Sequence, residues 1–235
     1  MMNKHSASHT TRGTLAVVGT PIGNLDDVSS RARDALARAD LVVCEDTRIT
    51  KRLLERYCID RPMTSVHQHS SEGRIKEIAD ELRKGKTVAL VTDAGTPGVS
   101  DPGGMLVAAA YDAGARIIAV PGPSAVTAAL SVSGLPTDRF RFFGFIPHKK
   151  GRETMLKEIA DMSETAIFFE SPHRLMKTLQ RLKELMSNDR IVVVARELTK
   201  MFEEVVRGSV SYVCDVFTDN PGKVRGEFVV IIGAK

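Results

Sequence analysis

Glu45-Asp46-Thr47-Arg48 places two carboxylates and a guanidinium directly after the apolar run Leu41-Val42-Val43-Cys44. Carboxylates leaving a buried strand can accept protons or orient a polar substrate, and strand ends are where parallel α/β sheets build sites. The plainer reading is a helix start with acids near its positive end. Three glycine-rich segments suggest a second kind of chemistry. Gly19-Thr20-Pro21-Ile22-Gly23-Asn24, the run from Asp93 to Gly104 and Pro121-Gly122-Pro123-Ser124 each follow an apolar stretch. Glycine lets a ligand approach the main chain closely, so three such loops at one sheet edge are expected to hold one. Val66-His67-Gln68-His69, with Glu72 nearby, falls short of a metal site and reads as an exposed loop or a substrate contact. Glu197, Lys200, Glu203 and Glu204 follow another apolar run and form either a charged hairpin or part of a site.

The elements that must position these groups are legible as alternating patterns. Strands are expected at Thr14–Val18, Leu41–Cys44, Thr87–Val91 and Arg116–Val120. Helices are expected at Val28–Ala39, Thr50–Tyr57, Ser71–Lys84, Met105–Ala113 and Ala125–Val132. This alternation predicts an α/β fold with a mostly parallel first sheet. After Leu135-Pro136 the rhythm changes: Phe140–Phe145, Ala166–Phe169, Ile191–Arg196, Glu203–Arg207 and Val224–Ile232 read as strands of a mixed sheet. Helices Arg152–Met162 and His173–Met186 accompany them, with a short one at Val210–Phe217. The expected organisation is a disordered tail at 1–13, an α/β domain at 14–135 and a second at 136–235.

With 43% hydrophobic and 26% charged residues, the 235-residue chain has the balance of a soluble globular protein. It contains no apolar run long enough to span a bilayer. Its three cysteines, Cys44, Cys58 and Cys214, lack metal-ligand spacing, which together with the missing secretory signal points to a reducing cytoplasm. A net charge of +4 permits a polyanionic partner. Arg48, Arg52 and Arg56 share a helix face, with Lys51 beside them, and His148-Lys149-Lys150-Gly151-Arg152 is a short basic loop. Each reads either as a polyanion contact or as solvated surface. No Walker loop and no Gly-x-Gly-x-x-Gly after the first strand is present, which disfavours P-loop and Rossmann dehydrogenase chemistry.

Five motifs together resemble a known family. They are Val18-Gly19-Thr20-Pro21-Ile22-Gly23-Asn24-Leu25, Cys44-Glu45-Asp46-Thr47-Arg48, the run Asp93–Gly103, Pro121-Gly122-Pro123-Ser124-Ala125 and Phe143-Gly144-Phe145-Ile146-Pro147. In order and spacing they resemble the ribosomal RNA small-subunit methyltransferase I family of the tetrapyrrole methylase superfamily, from about Gly13 to the C-terminus. The resemblance implies two α/β domains with S-adenosylmethionine held between them, a homodimer, and 2'-O-methylation of a cytidine in the decoding region of 16S rRNA. It also implies cofactor contacts at Pro21, Gly95, Thr96, Val99, Ser124 and Ala125. Phe169 is expected to pack near the adenine, and the Gly226-Glu227-Phe228 strand to close the pocket. The first loop lacks the Gly-x-Gly-Pro-Gly-Asp run of tetrapyrrole-methylating relatives, and Gly95-Thr96-Pro97 replaces their Gly-Asp-Pro. Both departures point from porphyrinoids toward RNA. A porphyrinoid C-methyltransferase and a non-catalytic RNA-binding protein remain as alternatives.

On that resemblance, a ribose 2'-hydroxyl needs a group to share its proton as the new bond forms. Asp46 is the expected base. Lys200 is the expected orienting group, and the base instead if burial lowers its pKa. A carboxylate against the sulfonium would favour the ground state, so Asp93 and Asp101 are expected to serve loop structure or substrate. Arg48, Arg52, Lys149, Lys150 and Arg152 are the expected RNA contacts, and no metal is called for.

Overall fold

The computed structural model describes residues 12–67, 72–101 and 103–235. The tail expected at 1–13 falls almost wholly outside them, as do Gln68, His69 and Ser71, the first residue of the helix expected at Ser71–Lys84. The chain divides into two compact units. Among the described residues, one comprises 12–21 together with Leu25–Pro123, the other Ile22–Asn24 together with Ser124–Lys235.

The first unit carries a five-stranded sheet in which every pairing is parallel. Its strands are β1 (Thr14–Val18), β2 (Leu41–Cys44), β3 (Met63–Ser65), β4 (Thr87–Leu90) and β5 (Arg116–Val120), ordered β3-β2-β4-β1-β5. Apolar side chains alternate across it, as strand geometry demands. Ala16, Val18, Val42, Cys44 and Ala89 pack with Leu36 of α1 (Ser30–Arg38) and Leu53 and Leu54 of α2 (Thr47–Arg56). Leu15, Val43, Val88 and Leu90 face the other way, onto α3 (Glu72–Arg83) and α4 (Gly103–Asp112). The three-layer arrangement leaves the loops after β1, β2, β4 and β5 together at one edge. Helix α1 begins where the Ser29 hydroxyl accepts the Ala32 N–H, and α2 where the Asp46 carboxylate accepts that of Arg48.

The second unit has a mixed sheet ordered β6-β7-β10-β8-β9. Its strands are β6 (Phe140–Phe145), β7 (Thr165–Glu170), β8 (Ile191–Arg196), β9 (Glu204–Ser209) and β10 (Phe228–Ile232). One face is covered by α6 (Arg152–Asp161), α7 (Pro172–Leu185) and α8 (Val210–Asp219), enclosing Phe168, Leu175, Phe217 and Phe228. The other packs Ile167, Val193, Val229 and Ile231 against α5 (Ala125–Ser133) and Ile22.

Helix α5 thus belongs to the second unit, and the division falls at Pro123–Ser124 rather than at Leu135–Pro136. Val126, Ala129 and Leu130 bury themselves on the mixed sheet, and Arg207 Nε donates to the Ser133 carbonyl at 3.0 Å. The strand β3 has no counterpart in the sequence-based expectation.

Candidate active site

The glycine loops of the first unit are laced to one another by main-chain bonds. Thr20 and Gly95 form an antiparallel bridge, N to O at 2.9 and 3.2 Å. The buried Thr20 hydroxyl adds bonds to the carbonyls of Thr92 and Gly95 at 3.1 and 3.3 Å. Gly19 N donates to Val120 O at 3.0 Å, and the Thr96 hydroxyl to Pro123 O at 3.3 Å. Gly95 is buried at φ +86°, a conformation only glycine takes without strain. Two glycines have a different reason to be glycine from the expected approach of a ligand. A Cβ at Gly19 would lie 2.7 Å from the Gly122 backbone, so these residues make room for each other. One at Gly23 would lie 2.5 Å from Lys200 Cγ. Gly98, at φ +85°, does face open space.

Four carboxylates stand at this edge. The Asp93 carboxylate accepts the Asp46 N–H at 3.0 Å, and Glu45 accepts the Thr92 hydroxyl at 3.2 Å. Asp101 Oδ1 accepts the N–H groups of Gly98 and Gly103 at 2.7 and 2.8 Å, which closes the long loop and places Asp101 in loop structure, as expected. Burial raises the pKa of both Glu45 and Asp93. For Glu45 the charge of Asp93 adds to it and the Thr92 hydrogen bond opposes it; for Asp93 the Asp46 N–H opposes and the Asp46 charge adds. Asp46 behaves in the opposite sense. Hydrogen bonds from the Arg48 side chain, then from its backbone N–H, hold its carboxyl at about 2. The Arg48 guanidinium grips both oxygens, with Nη2 2.6 Å from Oδ2. So weak an acceptor is a poor general base at neutral pH, and the geometry moves that role away from Asp46.

The remaining candidates scatter more widely. Pro21 is buried, Thr96 half-buried and Val99 exposed, while Arg52 is exposed on α2. Arg48 is exposed but engaged by Asp46, and Arg56 lies 3.5 Å from Asp26. In the second unit Ser124 precedes α5 without a side-chain cap bond, and Ala125 is the helix's first residue. Phe169 is half-buried, with its ring 5.0 Å from Phe142 and 5.3 Å from Phe145. Phe228 pairs in register with Glu170, one residue out of step with Phe169, so the two rings occupy opposite sheet faces. At 2% exposure and packed on Phe217, Phe228 is a core residue, and its expected cofactor contact is withdrawn. Lys200 Nζ lies 2.9 Å from Glu197 and 3.0 Å from Glu227. Burial opposes its charge, but these carboxylates outweigh burial and raise its pKa, so it is a cation and not a base. Lys149 and Lys150 are exposed. Arg152 turns inward instead, its Nη1 3.5 Å from the fully buried Glu170 carboxylate and its Nη2 on the Thr178 hydroxyl. The surface role expected of Arg152 is therefore corrected.

Residues 14–213 match the family profile described as tetrapyrrole (corrin/porphyrin) methylases. Ribosomal RNA small subunit methyltransferase I of Thermotoga maritima is 45% identical over 95% of this chain and 99% of that protein. The chain belongs to that family. Its relative of the same name in Xylella fastidiosa is 46% identical over 94% of this chain and 82% of that protein. Solved structures share the fold. Diphthine synthase superposes with TM-score 0.72 at 18% identity, over 94% of this chain and 90% of that one. A cobalt precorrin-4 methyltransferase gives 0.66 at 20%, over 97% and 98%. The family reading made from the five motifs and the two-sheet α/β architecture both hold. Membership of the ribosomal RNA methyltransferase I family does not depend on Asp46, Phe228 or Arg152 having the roles first expected of them. Sequence reading missed Glu170, although Glu170-Ser171-Pro172-His173-Arg174 carried a signal. Ser-Pro opens a helix, and the spacing sets Arg174 four residues from a carboxylate.

Proposed function

We propose that this chain uses S-adenosylmethionine to methylate the ribose 2'-hydroxyl of a cytidine in the decoding region of 16S rRNA, working as a homodimer in a bacterial cytoplasm. The reading is carried by near end-to-end overlap with proteins named ribosomal RNA small subunit methyltransferase I, 45% identical across 95% of this chain. The loop chemistry fits the cofactor. Ala94, Gly98 and Val99 are exposed and uncharged, and Gly98 leaves the space a side chain would fill. Glu45, Asp93 and Asp101 add negative charge at the same sheet edge, which attracts a cation. When bound, S-adenosylmethionine supplies a methyl group on a sulfonium, an already activated leaving group.

The protein's own task is positioning, which can be worth about 7–11 kcal/mol of barrier. Pro21, Gly95, Thr96 and Val99 would hold the cofactor on a rim fixed by the Thr20–Gly95 bridge, and Ser124, Ala125 and Phe169 are the further contacts that the family resemblance implies. The single proton of the 2'-hydroxyl passes to one of the two carboxylates whose proton affinity is raised, Glu45 or Asp93. Asp46 starts α2 and aims Arg48, while Lys200 orients the substrate as a cation. Arg52, Lys149 and Lys150 contact RNA phosphates. Labelled S-adenosylmethionine offered to unmodified small subunits, naked 16S rRNA and uroporphyrinogen tests the reading. Label is expected on a ribose oxygen of the RNA. Label on the porphyrinoid, or cofactor binding with no transfer to RNA, would overturn it.

A further inference from the structure

Helices α6 and α7 border a groove of about 500 Å³ in the second unit. That size falls within the range of small-ligand sites and admits a nucleotide or two. His148, Lys149, Arg152, Lys177 and Arg181 line it, over the buried side chain of Leu156. The arginines are already spoken for. Arg152 reaches the buried Glu170, and Arg181 Nε reaches Glu153 at 3.1 Å while its Nη1 bonds Glu184. Glu153 and Glu184, the groove's own acids, are thereby neutralised. Lys149, in the segment before α6, and Lys177, on α7, are exposed and carry no ion pair among the described residues.

The walls are fixed before any ligand arrives. Glu170 accepts bonds from Ser171 N at 2.9 Å and the Thr178 hydroxyl at 2.6 Å, and Arg174 Nη2 lies 2.8 Å away. Arg174 donates to the Ile146 carbonyl at 2.6 Å, and Arg152 to the Pro147 carbonyl at 3.5 Å. One buried network therefore ties the segment leading into Lys149 to the helix that carries Lys177. Two unpaired ammonium groups on pinned walls of an open groove suit a flexible polyanion. Lysine meets phosphate as a point charge and demands no single planar geometry.

We propose that this groove binds the phosphodiester backbone of the rRNA strand, with Lys149 and Lys177 as its phosphate contacts. The proposal rests on the RNA reading above and extends it to α7, which no motif marked. The test measures Kd of the full-length protein for unmodified 16S rRNA across a salt series, with Lys177→Glu, Lys149→Glu and the double variant. Each lysine should remove about one unit from the salt slope, and the double variant should weaken binding more than tenfold at 0.1 M salt. Its S-adenosylmethionine affinity should be unchanged. If wild type methylates the RNA but the double variant keeps its slope and Kd, the groove assignment is wrong and the function stands. If wild type neither binds nor methylates RNA, both readings fall. Salt-sensitive binding of polyglutamate that Lys177→Glu abolishes, with RNA binding intact, would overturn the proposal in favour of an acidic protein partner.

Discussion

Each unit half-buries or buries carboxylates, and treats them in opposite ways. Glu170 is met by two guanidiniums, a hydroxyl and a backbone N–H, so its charge is compensated on every side. Glu45 and Asp93 receive one hydrogen bond each and face other acids, and their pKa values rise through burial first. A buried charge costs little where it is fully paired, and breaking such a pair is expensive. A charge left under-paired instead gains proton affinity, which makes it a better proton acceptor. The contrast separates architecture from chemistry more clearly than residue type does.

The strongest way to break the contrast is kinetic. Glu45→Gln or Asp93→Asn should slow single-turnover methylation by about 10²–10⁴-fold, the usual loss with a general base. Asp46→Asn should lose less. The wild-type rate should rise with pH through a raised carboxylate pKa and then level. A profile flat down to about pH 3 would return the role to Asp46. Stability should move the other way. A raised folded pKa favours the protonated form, so its contribution is full below the ordinary carboxylate pKa and fades as pH rises. Asp93→Asn escapes that loss, and its melting temperature should gain on wild type as pH rises above the ordinary carboxylate range.

Glu170→Ala strands two arginines and should cost about 3–5 kcal/mol in denaturant melts. A loss under 1 kcal/mol would mean that the network is not the support described. Gly19→Ala forces a methyl group against the Gly122 backbone and should cost about 1–3 kcal/mol, with weakened S-adenosylmethionine binding by calorimetry. Unchanged binding would show that the two loops need not touch. The smallest effect separates the phenylalanines. Phe228→Leu should cost about 1 kcal/mol of stability and leave cofactor affinity alone, whereas Phe169→Leu should change affinity at little cost in stability. Equal effects on affinity would contradict the opposite-face assignment.

The first sheet was legible because each central strand is a short apolar run ended by glycine or a charge. Strand β3 escaped because Met63-Thr64-Ser65 is three residues long, half-buried and at the sheet edge, so neither alternation nor a solid apolar run marks it. In β10 the difficulty is reversed. Phe228-Val229-Val230-Ile231-Ile232 is buried on both faces, and a uniformly apolar strand carries no signal of which face a side chain takes. Arg152 looked like Lys149 because a sequence gives charge without direction, and only a buried acid eighteen residues later distinguishes them. The carboxyl-edge group was found as Glu45-Asp46-Arg48. Choosing the base within it required knowing which carboxylate Arg48 had claimed.

The assignment of Ile22–Asn24 to the second unit bears on how the chain is made and cut. Ile22 fills a place in the α5-side core, and Asn24 N donates to the Thr199 hydroxyl across 175 residues of sequence. No contiguous fragment contains the whole second unit without the first. A fragment starting at Ser124 would carry an uncapped hollow where Ile22 belongs, and supplying the missing tripeptide in trans would forfeit the tether that now delivers it. During synthesis the first glycine loop emerges from the ribosome long before Thr199, so its middle must wait for the C-terminal half to appear. Ligating residues 22–24 ahead of Ser124 through a short linker is the permutation that gives this half its best chance of folding alone.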